Sequence, residues 1–411
     1  MSAAVDVDLL DPGLHARGEL DAYWRRMRRD DPVSRHPVGG GARAFWAVAR
    51  HADAQAVVRD TRRFTSAGGN MLGTLLGGGD PAAGRMVVVT DGPFHTALRR
   101  LLARGFGPRA LGPVARTVER ATRALLGAFV ERGGGDFVAE VAARIPLRAI
   151  CELLGVPTAD QERVLRLTNA AMLTEQSSDA AAEPAIEQRI ARNEILLYYT
   201  RLAAERRQAP GSDIISLLVE PGPEGRSLTD EEVLLNCYNL IIGGDETARL
   251  AMAEGIRALT EHPDQWQRLR DEPELTVSGT EEILRWSTPV VHIGRRATHD
   301  TELAGRTIAA GDVVTVWNTS ANRDEAAFAD PGIFDLARQP NQHLTFGYGP
   351  HFCVGAELAR IEIRALLTEL RRTVSAVEVV GPVPALVSNF LRGPAALPVA
   401  LTPKKQPQES S

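Results

Sequence analysis

A mainly α-helical fold with a small β component is the architecture this sequence predicts, and three observations carry the prediction. Apolar residues recur at every third and fourth position through residues 114–132 and 187–207, in segments rich in Ala, Arg, Leu and Glu. A third stretch opens at Thr229-Asp230-Glu231-Glu232, a capping-box start, and keeps helical spacing through Leu259. Runs with strand character are short by comparison and fall at residues 44–48, 302–308, 313–316, 377–380 and 397–401. No internal repeat and no linker rich in Pro, Gly or Ser divides the chain. Residues 1–411 are therefore expected to form one domain, with 403–411 as a frayed polar tail.

Composition narrows the function classes. A chain of 411 residues that is 44% hydrophobic can bury a large core, and a net charge of -5 gives no support for nucleic-acid binding. The three cysteines are widely spaced and form no CxxC pair, which argues against a disulfide framework and for a reducing compartment. No window approaches the ~20 uninterrupted apolar residues of a spanning helix, and no basic, apolar leader opens the chain. A cytoplasmic, monomeric protein without a membrane partner is the expectation.

The third helix is interrupted chemically. Gly243 and Gly244 stand adjacent in its interior, where two glycines cost on the order of 2 kcal/mol relative to alanine. Leu240, Gly243, Gly244, Thr247 and Ala251 share one face, nearly free of side chains around the glycines, with room for a flat ligand and dioxygen. Asp245, Glu246 and Thr247 follow at once, acids beside an alcohol, a pairing that can pass protons. Taken alone, the same block also reads as a glycine kink carrying a solvated acidic pair.

The run Phe346-Gly347-Tyr348-Gly349-Pro350-His351-Phe352-Cys353-Val354-Gly355 isolates one cysteine in a glycine-rich turn before a helix expected over residues 356–370. A thiolate is stabilised near a helix N-terminus. One thiolate cannot close a zinc site, so any metal there needs further ligands, such as the four pyrrole nitrogens of a haem. Cys151 and Cys237 have no such setting and read as buried structural residues.

This run resembles the haem-ligand signature of the cytochrome P-450 monooxygenases, FGxGxHxCxG, and matches all six fixed positions. The resemblance extends over nearly the whole chain and implies the cytochrome P-450 fold, haem b as cofactor and Cys353 as its axial thiolate. Gly243-Gly244-Asp245-Glu246-Thr247 resembles the family's oxygen-activation motif, with Gly243 where alanine is commoner; the match makes Glu246 the acid and Thr247 the alcohol, while Asp245 remains an alternative for the relay. Glu282-Ile283-Leu284-Arg285 resembles the ExxR element, although an i,i+3 ion pair is by itself usually surface decoration. Arg338, in a segment similar to the family's meander, would complete a structural triad with Glu282 and Arg285.

Two haem propionates require cations or strong donors. The resemblance nominates His95 and Arg99 from an HxxxR element, Arg295 in preference to Arg296 from a strand, and His351 from the cysteine loop, with His343 as a weaker candidate. Phe346 would pack against the haem. The loop 66–89, with seven glycines among its residues, is expected to be a mobile lid. Pocket candidates are Leu240, Gly243, Val290, Val291, His292, Ile293, Asn389 and Phe390, of which only His292 and Asn389 offer polar readout; a bulky, largely apolar small molecule suits them.

Arg100, Arg104, Arg109, Arg360, Arg364, Arg371 and Arg372 are expected around the cysteine face, where opposite charge would steer an acidic ferredoxin served by a ferredoxin reductase. No flavin or nicotinamide fingerprint appears. High Ala, Arg and Gly usage resembles bacterial members that tailor antibiotics and other secondary metabolites, some on carrier-protein-bound intermediates. Hydroxylation is the expected reaction. The alternatives are a peroxide-using or isomerising haem-thiolate enzyme, or a non-catalytic haem-binding recruitment protein.

Overall fold

The computed structural model describes residues 7–41, 43–172, 186–221 and 227–404. Its axis is the helix Asp230–Glu261, whose 32 residues span about 48 Å at 1.5 Å per residue. The start is set by the capping box: Glu232 N–H donates to Thr229 Oγ1 at 3.2 Å, and Thr229 N–H donates to Glu232 Oε2 at 2.9 Å. Buried residues lie all around this helix because others enclose it, among them Arg144–Leu154, Ile186–Gln208, Leu275–Ser287 and Ala356–Thr373. Their shared apolar core includes Phe129, Ile150, Ile241, Ile256, Leu284, Ile363 and Leu367.

The sheets are small and peripheral. Five strands lie in the order Val33–Val38, Arg43–Val48, Val313–Trp317, His292–Ala297, Phe64–Thr65. All neighbours are antiparallel except the second and third, which run parallel. A second sheet joins Gly134–Asp136, Pro398–Pro403 and Val374–Val379. Gly134 shows why no sequence pattern marked its strand: it is held at φ 126, and a Cβ there would meet the Val399 carbonyl oxygen at 2.0 Å. Among the described residues, no helix is long and apolar enough to cross a membrane.

Three expectations need correction. The strand expected over 302–308 is a hairpin, Thr301–Leu303 and Arg306–Ile308, because Ala304 and Gly305 turn the chain at positive φ. Pro403 ends a strand rather than beginning a frayed tail, and Lys404 N–H donates to Thr373 O at 2.7 Å; residues 405–411 lie outside the described residues. The loop 66–89 is pinned at several points. Leu72 and Leu75 are buried, Asn70 O accepts from Gly294 N–H at 2.7 Å, and Asn236 on the long helix grips the backbone of Arg85 and Val87.

Candidate active site

The cysteine loop is a tight backbone construction. Gly347 and Gly349 sit at φ 70 and 73, and a Cβ on Gly349 would come within 2.9 Å of Arg59 Cα. Cys353 N–H closes the loop on Phe346 O at 2.8 Å, after which Ala356–Thr373 begins. Cys353 is exposed in the structure; desolvation of its sulfur by the surrounding atoms pushes the thiol up, against the Gly355 backbone and the Arg99 and Arg360 charges that pull it down. A bound metal cation would make it a thiolate, since coordination deprotonates a thiol outright.

Basic groups converge beside this loop. His351 and His95 stack with ring centroids 4.1 Å apart, and His351 Nε2 donates to Asp91 Oδ1 at 2.8 Å. Burial would raise Asp91, but hydrogen bonds from His351, Thr65 and the Ser66 N–H overcome it and hold the carboxyl at about 2. His95 is pushed down to about 4, first by burial and then by His351 and Arg99. Burial brings Arg295 down to about 10. His95 Nε2 and Arg295 Nε are both buried without a hydrogen-bond partner among the described residues. One carboxylate thus serves a cluster of two histidines and two arginines, and the orphaned donors call for further anions. That donor set fits a haem: Arg99, Arg295, His95 and His351 would hold its propionates, and Cys353 would ligate its iron.

On the long helix the two glycines meet different surroundings. A Cβ on Gly243 would meet nothing within 4 Å, whereas one on Gly244 would touch Ile150 at 3.1 Å. Thr247 Oγ1 donates to Gly243 O at 3.0 Å, which keeps the hydroxyl beside the open glycine. The acids separate as well. Glu246 is buried and ion-paired with Arg249 on the same helix, a partner three residues along that sequence reading missed. Asp245 is fully buried, with neither oxygen hydrogen-bonded among the described residues; burial pushes it up to about 7, with Glu246 adding to the rise and Arg249 opposing it. Glu362, on Ala356–Thr373, is likewise raised by burial and by Asp245.

Glu282, Arg285 and Arg338 are no surface decoration. Glu282 and Arg285 have fully buried side chains and form two 2.7 Å contacts; Arg338 Nε reaches Glu282 Oε2 at 3.1 Å. Both guanidinium groups also cap backbone carbonyls, with Arg285 donating to Asn322, Pro331 and Ile333 and Arg338 to Ala329, Asp330 and Ile333. Asn322 Oδ1 in turn accepts from Leu344 N–H at 2.7 Å, so the network reaches the entrance of the cysteine loop.

Two nominated histidines are committed elsewhere. His343 takes the Thr345 N–H on Nδ1 and donates from Nε2 to Glu281, so it braces the protein instead of joining the propionate cluster. His292 accepts the Leu72 N–H on Nε2 at 3.0 Å and donates from Nδ1 to Asn389 O at 3.1 Å, which leaves no nitrogen for substrate readout. The other pocket candidates divide. Val290 and Phe390 cluster with Ile242, Leu250, Leu386 and Leu391; Val291 packs into a separate core with Trp317 and Leu72; Leu240 belongs to the main core; Ile293 faces Gly347. Asn389 Nδ2 donates to Leu10 O.

Four of the seven arginines of the patch are neutralised. Arg104, Arg360, Arg364 and Arg372 pair with Glu220, Glu281, Glu357 and Glu369, while Arg100 and Arg109 are exposed and Arg371 half-buried, all three with no ion pair among the described residues.

Comparison with known proteins agrees with this geometry. A family model described as Cytochrome P450 matches residues 186–376. Cytochrome P450 NovI of Streptomyces niveus is 45% identical over 396 residues, covering 96% of each chain. Linalool 8-monooxygenase of Pseudomonas putida is 33% identical over 97% of this chain and 99% of its own. The crystal structure of P450 OxyD, involved in the biosynthesis of vancomycin-type antibiotics, superposes with a TM-score of 0.87 at 35% identity, covering 97% of this chain and all of that one. With the cysteine loop, the basic cluster and the glycine-notched helix in one fold, the chain belongs to the cytochrome P450 family and is a P450 monooxygenase.

Proposed function

We propose that this single-domain protein hydroxylates a bulky, largely apolar small molecule in bacterial antibiotic biosynthesis, on a free or carrier-bound intermediate. The observation that carries the haem assignment is the set of basic groups around the cysteine loop, with His95 and Arg295 buried and Arg99 and His351 half-buried beside them. When bound, the haem supplies the dioxygen chemistry. The chain supplies the rest. Thr247 Oγ1, beside the open Gly243, positions a proton for the reacting oxygen, and Glu246 replaces it by exchanging its Arg249 contact for solvent. Asp245, set back in the core with Glu362, would take part only through a longer path. Val290, Phe390 and Ile242 offer an apolar wall for substrate. The antibiotic assignment draws on the likeness to OxyD.

Electrons would come from a ferredoxin and its NAD(P)H-dependent reductase, with the exposed Arg100 and Arg109 as the free charges of the docking face, in a cytoplasmic monomer. A carbon monoxide difference spectrum of the reduced protein beside Cys353→Ala tests the ligation; a wild-type protein without thiolate-type absorption would overturn it. Thr247→Ala should release peroxide in place of product, and unchanged coupling would remove Thr247 from the relay.

A further inference from the structure

Arg360 lies two turns beyond Cys353, on the helix that leaves the cysteine loop, and is held from two sides. Glu281 grips it in bidentate fashion, Nε to Oε1 at 2.7 Å and Nη2 to Oε2 at 2.9 Å. Its guanidinium carbon stands 4.8 Å from the centroid of the Phe346 ring. Phe346 provides the carbonyl that accepts the Cys353 N–H, so the arginine is fixed over the residue that closes the sulfur's own loop. His343 completes the frame: it donates to the Glu281 oxygen Oε2 at 3.3 Å and packs against Phe346 with ring centroids 5.7 Å apart. The Arg360 and Glu281 side chains are only 22% and 23% exposed. Neither the triad nor the relay uses this group.

A guanidinium is always charged, and a charge clamped in a partly desolvated site acts on its neighbours more strongly than a mobile one in water. We infer that Arg360 is a positioning residue that sets how strongly the Cys353 sulfur donates electrons to its metal, and that Glu281 is the counter-charge limiting the effect. This rests on Cys353 as the haem ligand. The link to the sulfur is geometric: the guanidinium lies over the ring of Phe346, and the carbonyl of that same residue accepts the Cys353 N–H. Positive charge beside the sulfur withdraws electron density and favours the reduced iron; negative charge at Glu281 opposes it. If the pair were only a brace for the loop, removal of either member would loosen the same contact and move the iron in the same sense.

Opposite signs are the test. The midpoint potential of the holoprotein would be measured with Arg360→Met, Glu281→Gln, Arg360→Lys and the unsubstituted chain, together with the reduced carbon monoxide spectrum of each. Arg360→Met should disfavour the reduced form by about tenfold, which for one electron is about 59 mV downward. Glu281→Gln should move the potential upward, and Arg360→Lys, which keeps the charge, should stay within about twofold of the parent. Shifts of the same sign in Arg360→Met and Glu281→Gln, or no shift in either, would overturn the inference. If Arg360→Met fails to retain haem, the upward shift in Glu281→Gln decides alone. Absence of the thiolate-type band in the unsubstituted protein would instead reject the ligation itself.

Discussion

Two buried charge clusters flank the cysteine loop, and they are built on opposite principles. Around Glu282 every charge is answered: the carboxylate receives Arg285, Arg338, Asn341 and the Asp335 N–H, and the guanidinium groups end on carbonyls. Around His351 the cluster stays open, with Asp91 facing His351, His95 and Arg295 and with donors left unbonded among the described residues. Burying an unpaired charge is costly, so the first cluster belongs to folding and the second to a ligand that brings its own anions. Density of buried charge does not separate structure from function; completeness of pairing does.

The difference can be broken most severely at Glu282. Glu282→Ala strands two buried guanidinium groups and should lower the unfolding free energy by about 3–5 kcal/mol, read from urea denaturation of the apoprotein. Arg295→Leu should do the reverse in the apoprotein, leaving stability unchanged or improved, while weakening haem retention by about 10–100-fold in a transfer assay. Loss of apoprotein stability in that variant would mean the open cluster is closed by something else. Asp245→Asn tests a third arrangement, an unpaired acid. Its folded pKa is raised from 3.8 to about 7, so the wild-type stability present below pH 3.8 is lost as pH rises towards 7. The asparagine should therefore gain about 1–3 kcal/mol on the parent at pH 8 and nothing near pH 4.

The smallest effect is a slope. His95 falls from 6.5 to about 4 on folding, so its share of stability is intact above 6.5 and is lost as pH drops from 6.5 towards 4. His95→Gln should lessen the slope of the apoprotein stability profile across that window, leaving the part that His292, lowered to about 3 by burial, contributes. The acid-side contribution of Asp91, whose folded pKa is about 2, lies below it and should be unaffected.

How much of this was legible in the sequence depends on the range of each interaction. The long helix was, because its capping box is local, and so was the cysteine loop, whose glycines are fixed by backbone conformation within ten residues. The pair Glu246 and Arg249 was legible in principle, three residues apart on one helix. His292 and His343 were not. Their partners include the Leu72 N–H, Asn389 O and Glu281, brought together only by folding, and no spacing rule announces such contacts. The strand Val33–Val38 escaped for a related reason: it is an edge strand, where Pro37 costs no ladder bond and burial alternation is weak. The glycine-rich loop misled because composition measures the freedom of the unfolded chain, whereas Asn236, Asn70 and His292 determine what freedom survives.

Asn236 has a kinetic consequence. Its buried amide holds Val87 N–H and Arg85 O, so lifting that loop from the long helix breaks two bonds at about 1 kcal/mol each. The lifted form then makes up only a few per cent of molecules. Any ligand that must pass beneath Arg85 and Val87 meets this as a delay in both directions, slowing arrival and departure together while leaving affinity where the pocket sets it.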